Sequence, residues 1–280
     1  MRIALVGEAL IDFAGAGNLV FQGHSGGSPL NSAVACARLG QPTGYLTQLS
    51  TDLFGEHLLN EMQANGIDTR FVTRSDDPST IAFVQRSPTT NRYAFYAAGS
   101  ADSRWQPAQL PELPATCRFV HFGSISLLQD PAASSITDFI ESNAGKRVIV
   151  FDPNVRLSLI KDLSVYRQRV QRWLKSTDLL KLSDEDVETL VPGASLDEAG
   201  AKLLESGPKA VVITRGGEGA VLYRKGHAPM PIVAPKIKVA DTIGAGDTFT
   251  AGLSVALLNQ GVVEAAQLGA FIDRSGDDVA

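Results

Sequence analysis

The sequence contains few of the residues from which disulfide frameworks and metal centres are built. Its 280 residues include two cysteines and four histidines. Cys36 and Cys117 stand alone in apolar surroundings, a pattern typical of buried thiols in a reducing compartment rather than of a disulfide. The histidines show none of the spacings of metal-ligand pairs; they are His24, His57, His121 and His227. The composition therefore predicts neither a disulfide-stabilised scaffold nor a zinc centre.

The sequence also lacks clustered positive charge and long apolar segments. The formal net charge is −5, and no cluster of lysine and arginine residues occurs, which argues against a nucleic-acid-binding face. No segment reaches the ~20 apolar residues that a membrane-spanning helix needs. The first residues, MRIALVGEALIDF, contain only a short apolar run that Glu8 interrupts, which predicts a strand and not a signal peptide. We therefore expect a cytoplasmic protein without nucleic-acid or membrane partners.

Motifs of three common enzyme classes are absent as well. The sequence has no G-x-x-x-x-G-K-[ST] phosphate loop and no G-x-S-x-G nucleophile motif of a hydrolase. Gly15-Ala16-Gly17 lacks the third glycine of a dinucleotide-binding fingerprint. The chain does have 44% hydrophobic residues, which suffices for the core of one three-layer α/β unit. We expect residues 1–280 to form a single domain.

Residues 241–249, DTIGAGDTF, form the stretch around which the sequence is organised. Val239 and the apolar residues before it predict the end of a strand. Residues 248–258 are apolar or small on nearly every face, which predicts a helix buried on all sides. The loop Gly244-Ala245-Gly246 exposes backbone N–H groups at a helix N-terminus, where anions bind.

Asp247, next to this loop, has two interpretations. It is either an ordinary helix-start residue that complements the helix dipole, or a general base beside a phosphoryl group in transfer. The whole string DTIGAGDTFTAGL, residues 241–253, resembles the C-terminal signature of the PfkB (ribokinase-like) family of sugar and nucleoside kinases. This resemblance implies that Asp247 deprotonates the acceptor hydroxyl and that the amides of Gly244, Ala245 and Gly246 hold the transferred phosphate.

The family resemblance also implies a fold and cofactors. We expect a three-layer α/β/α ribokinase-like fold, with a mostly parallel central sheet and a small β-sheet lid. The implied cofactors are ATP and Mg²⁺, with K⁺ as a further activating ion.

Two N-terminal segments resemble sugar-binding motifs of the same family. In GEALIDF, which looks like the fructokinase version, Asp12 follows the first strand and would bind sugar hydroxyls; a simple turn residue is the alternative. GGSPLNSAVACARLG resembles the N-terminal sugar-binding signature. This likeness implies that Gly26, Gly27 and Asn31 contact the sugar.

The second of these segments also predicts a helix over residues 29–39. Ser28 is a suitable N-cap, Pro29 suits the first helical position, and Gly40 falls where a C-terminal cap belongs. Further patterns predict strands over residues 2–6, 43–50, 119–124, 147–151, 210–214 and 220–223, and helices over residues 53–65, 131–143 and 262–272.

Residues 79–98 predict a β-hairpin. TIAFVQR and RYAFYAA are rich in strand-forming residues, and turn-forming residues 87–91 separate them. The resemblance implies that this hairpin and residues 12–23 form the lid, and that lids pair between subunits to give a homodimer. Phe95 or Tyr96 would cover the sugar, although an aromatic residue in a strand more often belongs to a core.

Polar residues follow the apolar strand predicted at residues 147–151. Ligands of open α/β sheets bind at the carboxyl ends of the strands, and DPNVR lies at such an end. A rigid turn at Pro153 explains this segment without a function. DPNVR also looks like a fructokinase-type motif, which implies that Asn154 lines the sugar site and that Arg156 supplies positive charge near the transferred phosphate.

Two further segments carry the nucleotide contacts that the resemblance implies. Lys181 and Ser183 lie at the end of another predicted strand. Thr214, Gly216 and Gly219 have the T-x-G-x-x-G spacing of the family's nucleotide-phosphate turn, and a glycine-rich hairpin is the alternative. Gly244 and Gly246 would complete the contacts with the phosphates.

The resemblance implies two cation sites. The family's Asn-x-x-Glu motif, whose acid organises the water shell of Mg²⁺, corresponds to Ser183 and Asp186 here, with Glu185 beside them. This leaves open which acid serves, and an ordinary capped helix start is the alternative. The Asp241-Thr242 loop would hold a monovalent cation. The last residues, FIDRSGDDVA, do not resemble the longer family ending that covers the adenine, so we expect weaker nucleotide binding and K⁺ activation.

The implied reaction is ATP-dependent phosphorylation of a sugar hydroxyl, with the 6-hydroxyl of fructose as the expected acceptor. 2-Keto-3-deoxygluconate, ribose and nucleosides are the alternative acceptors within the family. An alternative of a different class is a catalytically silent sugar-binding protein, since a fold alone does not fix a function.

Overall fold

The computed structural model describes residues 1–85, 92–238 and 242–274. Within these ranges, strands and helices alternate along most of the chain. This order favours parallel strands with helices on both faces of the sheet. The described strands form a nine-stranded sheet and a separate four-stranded sheet.

The large sheet consists mainly of short, apolar strands. Its strands in the described chain are β1 (Ile3–Val6), β4 (Thr43–Ser50), β5 (Asp68–Ser75), β8 (Phe119–Gly123), β9 (Val148–Asp152), β10 (Leu179–Ser183), β11 (Ala210–Thr214), β12 (Ala220–Arg224) and β13 (Met230–Ile232). Their order across the sheet is β13-β12-β11-β10-β9-β8-β1-β4-β5. All neighbours from β5 to β11 are parallel, and β12 and β13 are antiparallel additions at one edge. The central strands β1, β8 and β9 are buried along their whole length, as expected for strands covered on both faces.

Helices cover both faces of this sheet. The described helices are α1 (Ser28–Arg38), α2 (Leu53–Ala64), α3 (Ala132–Asn143), α4 (Leu163–Leu174), α5 (Asp184–Leu190), α6 (Leu196–Glu205), α7 (Ala245–Asn259) and α8 (Ala265–Arg274). Successive side chains of a strand point to opposite faces, so Ala4 and Val6 pack in one core and Ile3 and Leu5 in another. The first core includes side chains of α3 to α6, and the second includes those of α1, α2, α7 and α8.

The smaller sheet, called the lid sheet below, has four strands in the described chain. They are β2 (Leu10–Gly17), β3 (Val20–Gly26), β6 (Ile81–Gln85) and β7 (Arg92–Tyr96), in the order β3-β2-β6-β7. Asp12 and Phe13 are consecutive residues of β2, so their side chains lie on opposite faces of the lid sheet. Phe13 stacks on Phe83 with ring centroids 5.1 Å apart and meets Phe54 of α2 edge to face at 5.7 Å. These aromatic contacts join the lid sheet to the main body.

The predicted fold class is confirmed. The mostly parallel sheet lies between two helical layers, and both segments predicted to form the lid, near 12–23 and 79–98, contribute strands to the small sheet. In the described part of the chain, no helix is long and apolar enough to cross a membrane.

Two local predictions around α7 were wrong. A third, that a strand ends at Val239, falls on a residue outside the described ranges, although residues 233–238 before it contain no strand. The helix starts at Ala245 and not at Thr248, so Ala245 and Gly246 belong to its first turn and not to a loop. It is not buried on all sides, because one flank exposes Thr248, Phe249 and Ala256.

The start of α1 also differs from the prediction. Gly27, with a φ of 103°, occupies the N-cap position, and Ser28 is the first helical residue. The Ser28 hydroxyl does not cap α1, because it donates a hydrogen bond to the carboxylate of Asp247.

The last helix begins at Ala265 and not at residue 262. The hairpin turn 87–91 and the C-terminal residues 275–280 lie outside the described residues.

Candidate active site

A cavity of about 470 Å³ lies between the main body and the lid sheet. The carboxyl ends of parallel strands and the N-terminus of α7 form its floor, which is where open α/β sheets bind ligands. The main body contributes Glu8, Gly27, Ser28, Asn31, Ser124, Ile125, Asn154, Arg156, Lys181, Thr242, Ile243, Gly244, Gly246 and Asp247. The lid sheet contributes Leu10, Asp12, Ala14, His24, Ser25, Val84 and Phe95. Residues far apart in sequence thus line one polar cavity.

Asp247 lies in the first turn of α7 and is buried at 8% exposure. Its Oδ1 accepts a hydrogen bond from Ser28 Oγ at 2.6 Å, and its Oδ2 accepts one from Asn31 Nδ2 at 2.8 Å. Ser32 Oγ donates to its main-chain carbonyl at 3.1 Å. Burial raises the pKa of Asp247 above its ordinary value, although the two side-chain hydrogen bonds oppose this effect. The carboxylate is therefore fixed in orientation and better able to hold a proton.

The start of α7 forms a concave backbone next to Asp247. Gly244 has a left-handed φ of 72° at the N-cap position, and its carbonyl accepts from Thr248 N–H at 2.8 Å. The N–H groups of a first helical turn have no acceptors within the helix, and they carry the positive end of its dipole. Because Gly244 and Gly246 have no side chains, a ligand can approach these groups closely. The arrangement suits a phosphate.

Lys181 and Asp152 form a buried ion pair beneath α7. Lys181 Nζ lies 3.0 Å from Asp152 Oδ2, and the two side chains are 6% and 1% exposed. Thr250 Oγ1 donates to the same Asp152 oxygen at 2.9 Å. A Cβ at Gly246 would lie 2.9 Å from Lys181 Nζ, so the ammonium lies directly against the backbone of the first turn.

Asp12 and Arg156 line the cavity from opposite sides, Asp12 from the lid sheet and Arg156 from the main body. Burial raises the pKa of Asp12 to about 6, with a smaller increase from Asp247, while the positive charge of Arg156 opposes the change. A Cβ at Gly26 would lie 2.1 Å from Asp12 Oδ2, so glycine at this position leaves room for the carboxylate. Arg156 Nη1 donates to Asn154 Oδ1 at 2.8 Å. These polar groups can bind several hydroxyls of a small ligand.

Glu8 is a cavity residue that the sequence analysis did not identify as functional. It is 1% exposed, and its Oε2 accepts from Ser126 N–H at 3.1 Å. Burial raises the pKa of Glu8 to about 7. Tyr45 Oη donates to its main-chain carbonyl at 2.6 Å. The sequence signal for Glu8 was a charged residue two positions after the apolar strand IALV; Asp152, directly after VIVF, gives a similar signal.

The predicted nucleotide residues divide into two groups. Lys181, Gly244 and Gly246 line the cavity, whereas Ser183, Thr214, Gly216 and Gly219 do not. Ser183 and Thr214 are register partners at the carboxyl ends of neighbouring strands β10 and β11. Gly219 has a φ of 97°, and a Cβ there would lie 2.0 Å from the carbonyl oxygen of Ile232. This second group forms a surface beside the cavity, past the end of the sheet.

The residues predicted to bind cations occupy different environments. Asp186 is buried; its Oδ1 accepts from Val155 N–H at 2.8 Å and its Oδ2 from Ser183 N–H at 2.9 Å. Burial, followed by the charge of Asp152, raises the pKa of Asp186. Glu185 is exposed. Thr242 lines the cavity, whereas Asp241 lies outside the described residues.

Comparisons with known proteins identify the chain. The model of a family described as pfkB family carbohydrate kinase matches residues 2–271. A fructokinase of Rhizobium leguminosarum bv. trifolii is 36% identical, over 99% of this chain and 86% of the relative. A solved fructokinase of Xylella fastidiosa with bound ATP has a TM-score of 0.85 and 26% identity, and the match covers 96% of this chain and 85% of that one.

A further solved structure, of an uncharacterized sugar kinase from Pyrococcus horikoshii in complex with ATP, has a TM-score of 0.82 and 28% identity. The match covers 95% of this chain and 88% of that chain. The family, fold and enzyme class predicted from the sequence are thus confirmed. The chain belongs to the pfkB family of carbohydrate kinases and is a sugar kinase, a phosphotransferase with an alcohol group as acceptor.

Proposed function

We propose that this protein transfers the γ-phosphoryl group of ATP to the 6-hydroxyl of fructose, with Asp247 as the general base. The acceptor is supported by the names of similar proteins, which include the bacterial fructokinase, and by the polar lining of the cavity. The nucleotide is supported by the ATP-bound relatives. The observation that carries the proposal is the position of Asp247, a buried carboxyl group on the cavity wall at a helix N-terminus.

The proposed reaction follows from this geometry. The sugar hydroxyl oxygen attacks the γ-phosphorus, the bond from that phosphorus to the bridging oxygen of ADP breaks, and the hydroxyl proton passes to Asp247. The hydrogen bonds from Ser28 and Asn31 hold the carboxylate in place. The amides of Gly244, Ala245 and Gly246 then stabilise the charge that builds on the phosphoryl oxygens.

Sugar binding is assigned to the polar residues on the other walls of the cavity. Asp12 and Asn154 would bind hydroxyls. Gly27 lines the cavity and would contact the sugar directly, whereas Gly26 would contribute to sugar binding by leaving room for the Asp12 carboxylate. Asn31 would contact the sugar in addition to Asp247. Arg156 would neutralise phosphate charge. Phe95 lines the cavity, whereas Tyr96 is 65% exposed, so Phe95 is the better candidate of the two for covering the sugar.

The nucleotide would extend from the cavity over the ends of β10 and β11. Ser183 and Thr214 are neighbours there, and the turn with Gly216 and Gly219 follows. We propose that these residues bind the phosphates nearer to the nucleoside, and that Lys181, Gly244 and Gly246 bind the terminal phosphate.

The residues near Asp186 fit a Mg²⁺ ion held through water. In residues 1–85, 92–238 and 242–274, no group of three or more metal-binding side chains comes together, and both Asp186 oxygens already accept main-chain N–H groups. Mg²⁺ commonly keeps several waters and binds substrate phosphates with few protein ligands. Asp186, or Glu185 beside it, would orient such waters, and the ion would neutralise phosphate charge. We retain K⁺ at the Asp241-Thr242 loop as part of the proposal.

We propose that residues 1–280 act as one domain whose lid sheet closes over the bound sugar. Closure would exclude water, which could otherwise accept the phosphoryl group. We also propose a homodimer that forms through the lid sheet.

An assay with several sugars tests the acceptor and the base together. With ATP and Mg²⁺, fructose should give fructose 6-phosphate with a higher kcat/KM than ribose, 2-keto-3-deoxygluconate or a nucleoside. Asp247→Asn should bind fructose in calorimetry but turn over about two to four orders of magnitude more slowly, the usual reach of general acid–base catalysis.

Asp12→Asn is the matched control, because it removes a carboxylate from the same cavity without removing the base. It should chiefly raise KM for the sugar. Turnover by Asp247→Asn within about threefold of the unmodified enzyme would refute the base, given the range expected for such catalysis. Fructose binding without product under any cation would favour the silent sugar-binding protein.

A further inference from the structure

Lys181 is a buried cation in an unusual position. Its side chain is 6% exposed and lines the cavity, and its ammonium group lies against the first turn of α7. The N-terminus of a helix carries positive partial charge, and burial of an ammonium group is itself unfavourable. A cation is therefore doubly unfavourable here without an anion. Asp152 supplies one anion, and a phosphate at the helix terminus would supply a second.

Asp152 does not line the cavity, so it acts from behind Lys181. It is 1% exposed, and its Oδ2 accepts from both Lys181 Nζ and Thr250 Oγ1. Its Oδ1 is buried and has no hydrogen-bond partner in the described part of the chain. A buried carboxylate with one unsatisfied oxygen is expensive for stability alone, so a role in the reaction explains it better.

We propose that Asp152 is a positioning residue, which keeps Lys181 protonated and directed at the terminal phosphate that Lys181 binds in the proposed function. This deepens the proposed function and rests on it. The single ammonium would approach the phosphoryl oxygens from beneath the helix, while the amides of α7 approach from its terminus. The interactions of the ammonium and of the amides with the phosphoryl oxygens become more favourable as negative charge develops in the transition state.

The charged groups around Lys181 give this proposal a specific pH signature. Burial lowers the pKa of Lys181, but the charge and hydrogen bond of Asp152 from β9, together with the charges of Asp186 of α5 and Asp247 of α7, outweigh burial and raise the pKa. His121 of β8 also faces the pair, and burial lowers its pKa to about 4, so it stays neutral. Loss of the Asp152 charge should therefore lower the pKa of Lys181. The rate should then fall as pH rises through the lowered value.

The experiment compares pH–rate profiles of four variants with a sugar that the unmodified enzyme phosphorylates. Asp152→Asn keeps the shape and an acceptor for Lys181 but removes the charge. Thr250→Val removes the other hydrogen bond to Asp152 and is the matched control. Lys181→Met removes the cation, and Lys181→Arg keeps it. kcat and both KM values are measured from about pH 6 to about pH 10, across the range where a perturbed lysine titrates, and circular dichroism verifies folding at each pH.

Under the proposal, the alkaline decline of kcat for Asp152→Asn begins at least about one pH unit below that of the unmodified enzyme. At lower pH, where Lys181 is protonated again, the kcat of this variant recovers. Thr250→Val keeps the original profile. Lys181→Met has kcat lowered by about a hundredfold or more, as for loss of one preorganised donor, with sugar KM unchanged and no alkaline decline. Lys181→Arg retains more activity than Lys181→Met.

Three results would overturn the proposal. These are an Asp152→Asn profile that coincides with that of the unmodified enzyme, a folded Asp152→Asn enzyme that is equally slow at every pH, and a Lys181→Met enzyme with nearly normal kcat. If Asp152→Asn does not fold, the two Lys181 variants decide the question. Failure of the proposed function would appear separately, as absence of sugar phosphorylation by the unmodified enzyme or as full activity of Asp247→Asn.

Discussion

At the residue scale, the cavity residue Glu8 should make the stability of the fold depend on pH. It is buried, and burial raises its pKa from 4.5 to about 7. The folded protein therefore holds a proton that the unfolded chain releases near pH 4.5. The associated stability is fully present below that pH and is lost as pH rises through about 7. The loss amounts to about 3.5 kcal/mol, for a shift of about 2.5 pH units at about 1.4 kcal/mol per unit.

Glu8→Gln should remove this dependence, because glutamine is neutral and can still accept the hydrogen bond from Ser126 N–H. The variant should be less sensitive to pH between about 4.5 and about 7 and more stable than the unmodified protein at pH 8. Urea unfolding at several pH values measures the difference. Glu112→Gln, a change at an exposed loop position, should leave the pH dependence as it is. Parallel stability curves for Glu8→Gln and the unmodified protein would contradict the assignment.

At the scale of elements, α7 is a core helix whose first turn is the proposed phosphate site, and two of its glycines allow the structural role and the proposed catalytic role to be tested separately. A Cβ at Gly246 would meet only Lys181 Nζ, at 2.9 Å, whereas one at Gly252 would meet nothing within 4 Å. Alanine stabilises a helix interior by up to about 1 kcal/mol relative to glycine. Both Gly246→Ala and Gly252→Ala should therefore fold as well as the unmodified protein, or slightly better.

Their catalytic effects should differ. The methyl group in Gly246→Ala displaces the Lys181 ammonium and narrows the approach to the first-turn amides, so kcat should fall by about tenfold or more. Gly252→Ala should leave kcat unchanged. Thermal unfolding and steady-state kinetics on the same preparations test the pair. Equal kcat values for the two variants would show that the site tolerates a side chain at residue 246.

The elements that the sequence predicted well are those with strong local signals. The apolar run Ile3–Val6 and the strand Thr43–Ser50 were expected within one residue of their observed bounds. By contrast, β5 and β13 were missed. The edge strand Asp68–Ser75 carries Arg70 and Arg74 and is only partly buried, so it lacks the apolar signal of a central strand. Residues 157–178 and 187–209 received no prediction, although α4 and α6 begin there.

The site was partly predictable for a similar reason. Asp12, Asn31 and Asp247 belong to contiguous strings that resemble a family, and the fold brings all three to one cavity. The hydroxyl of Ser28 was misassigned, because its partner Asp247 is 219 residues away in sequence. The Asp152–Lys181 pair depends in the same way on the packing of two strands. Such long-range partners leave no periodic signal in a sequence.

At the scale of the whole molecule, the two sheets share the substrate cavity but also have separate outer surfaces. Asp12, Val84 and Phe95 face the cavity. Phe21, Phe83 and Tyr96 lie on the opposite face of the lid sheet, with Phe83 in contact with both other rings at 4.9 Å and 5.9 Å. The main body covers part of this outer face, where Phe54 of α2 contacts Phe13.

The outer face of the lid sheet leads to a prediction about assembly. On this face Tyr96 is 65% exposed and Phe21 is only partly buried, and exposed apolar surface of this kind marks interaction sites. The strands β3 and β7 are also sheet edges, which invite pairing with another chain. A second copy of this chain is the proposed occupant, because two such faces are self-complementary across a two-fold axis.

Light scattering should therefore give about twice the chain mass of 29.7 kDa. Introducing charge with Tyr96→Lys should return the mass to that of one chain, because a buried unpaired lysine opposes association. The sugar KM should then rise, since the lid sheet would lose a surface that steadies it over the cavity, while KM for ATP should change less. Leu39→Lys, at a 51% exposed position at the end of α1, is the matched control and should remain dimeric. A mass of one chain for the unmodified protein at all concentrations would mean that the lid sheet closes without a partner, supported only by its packing on α2.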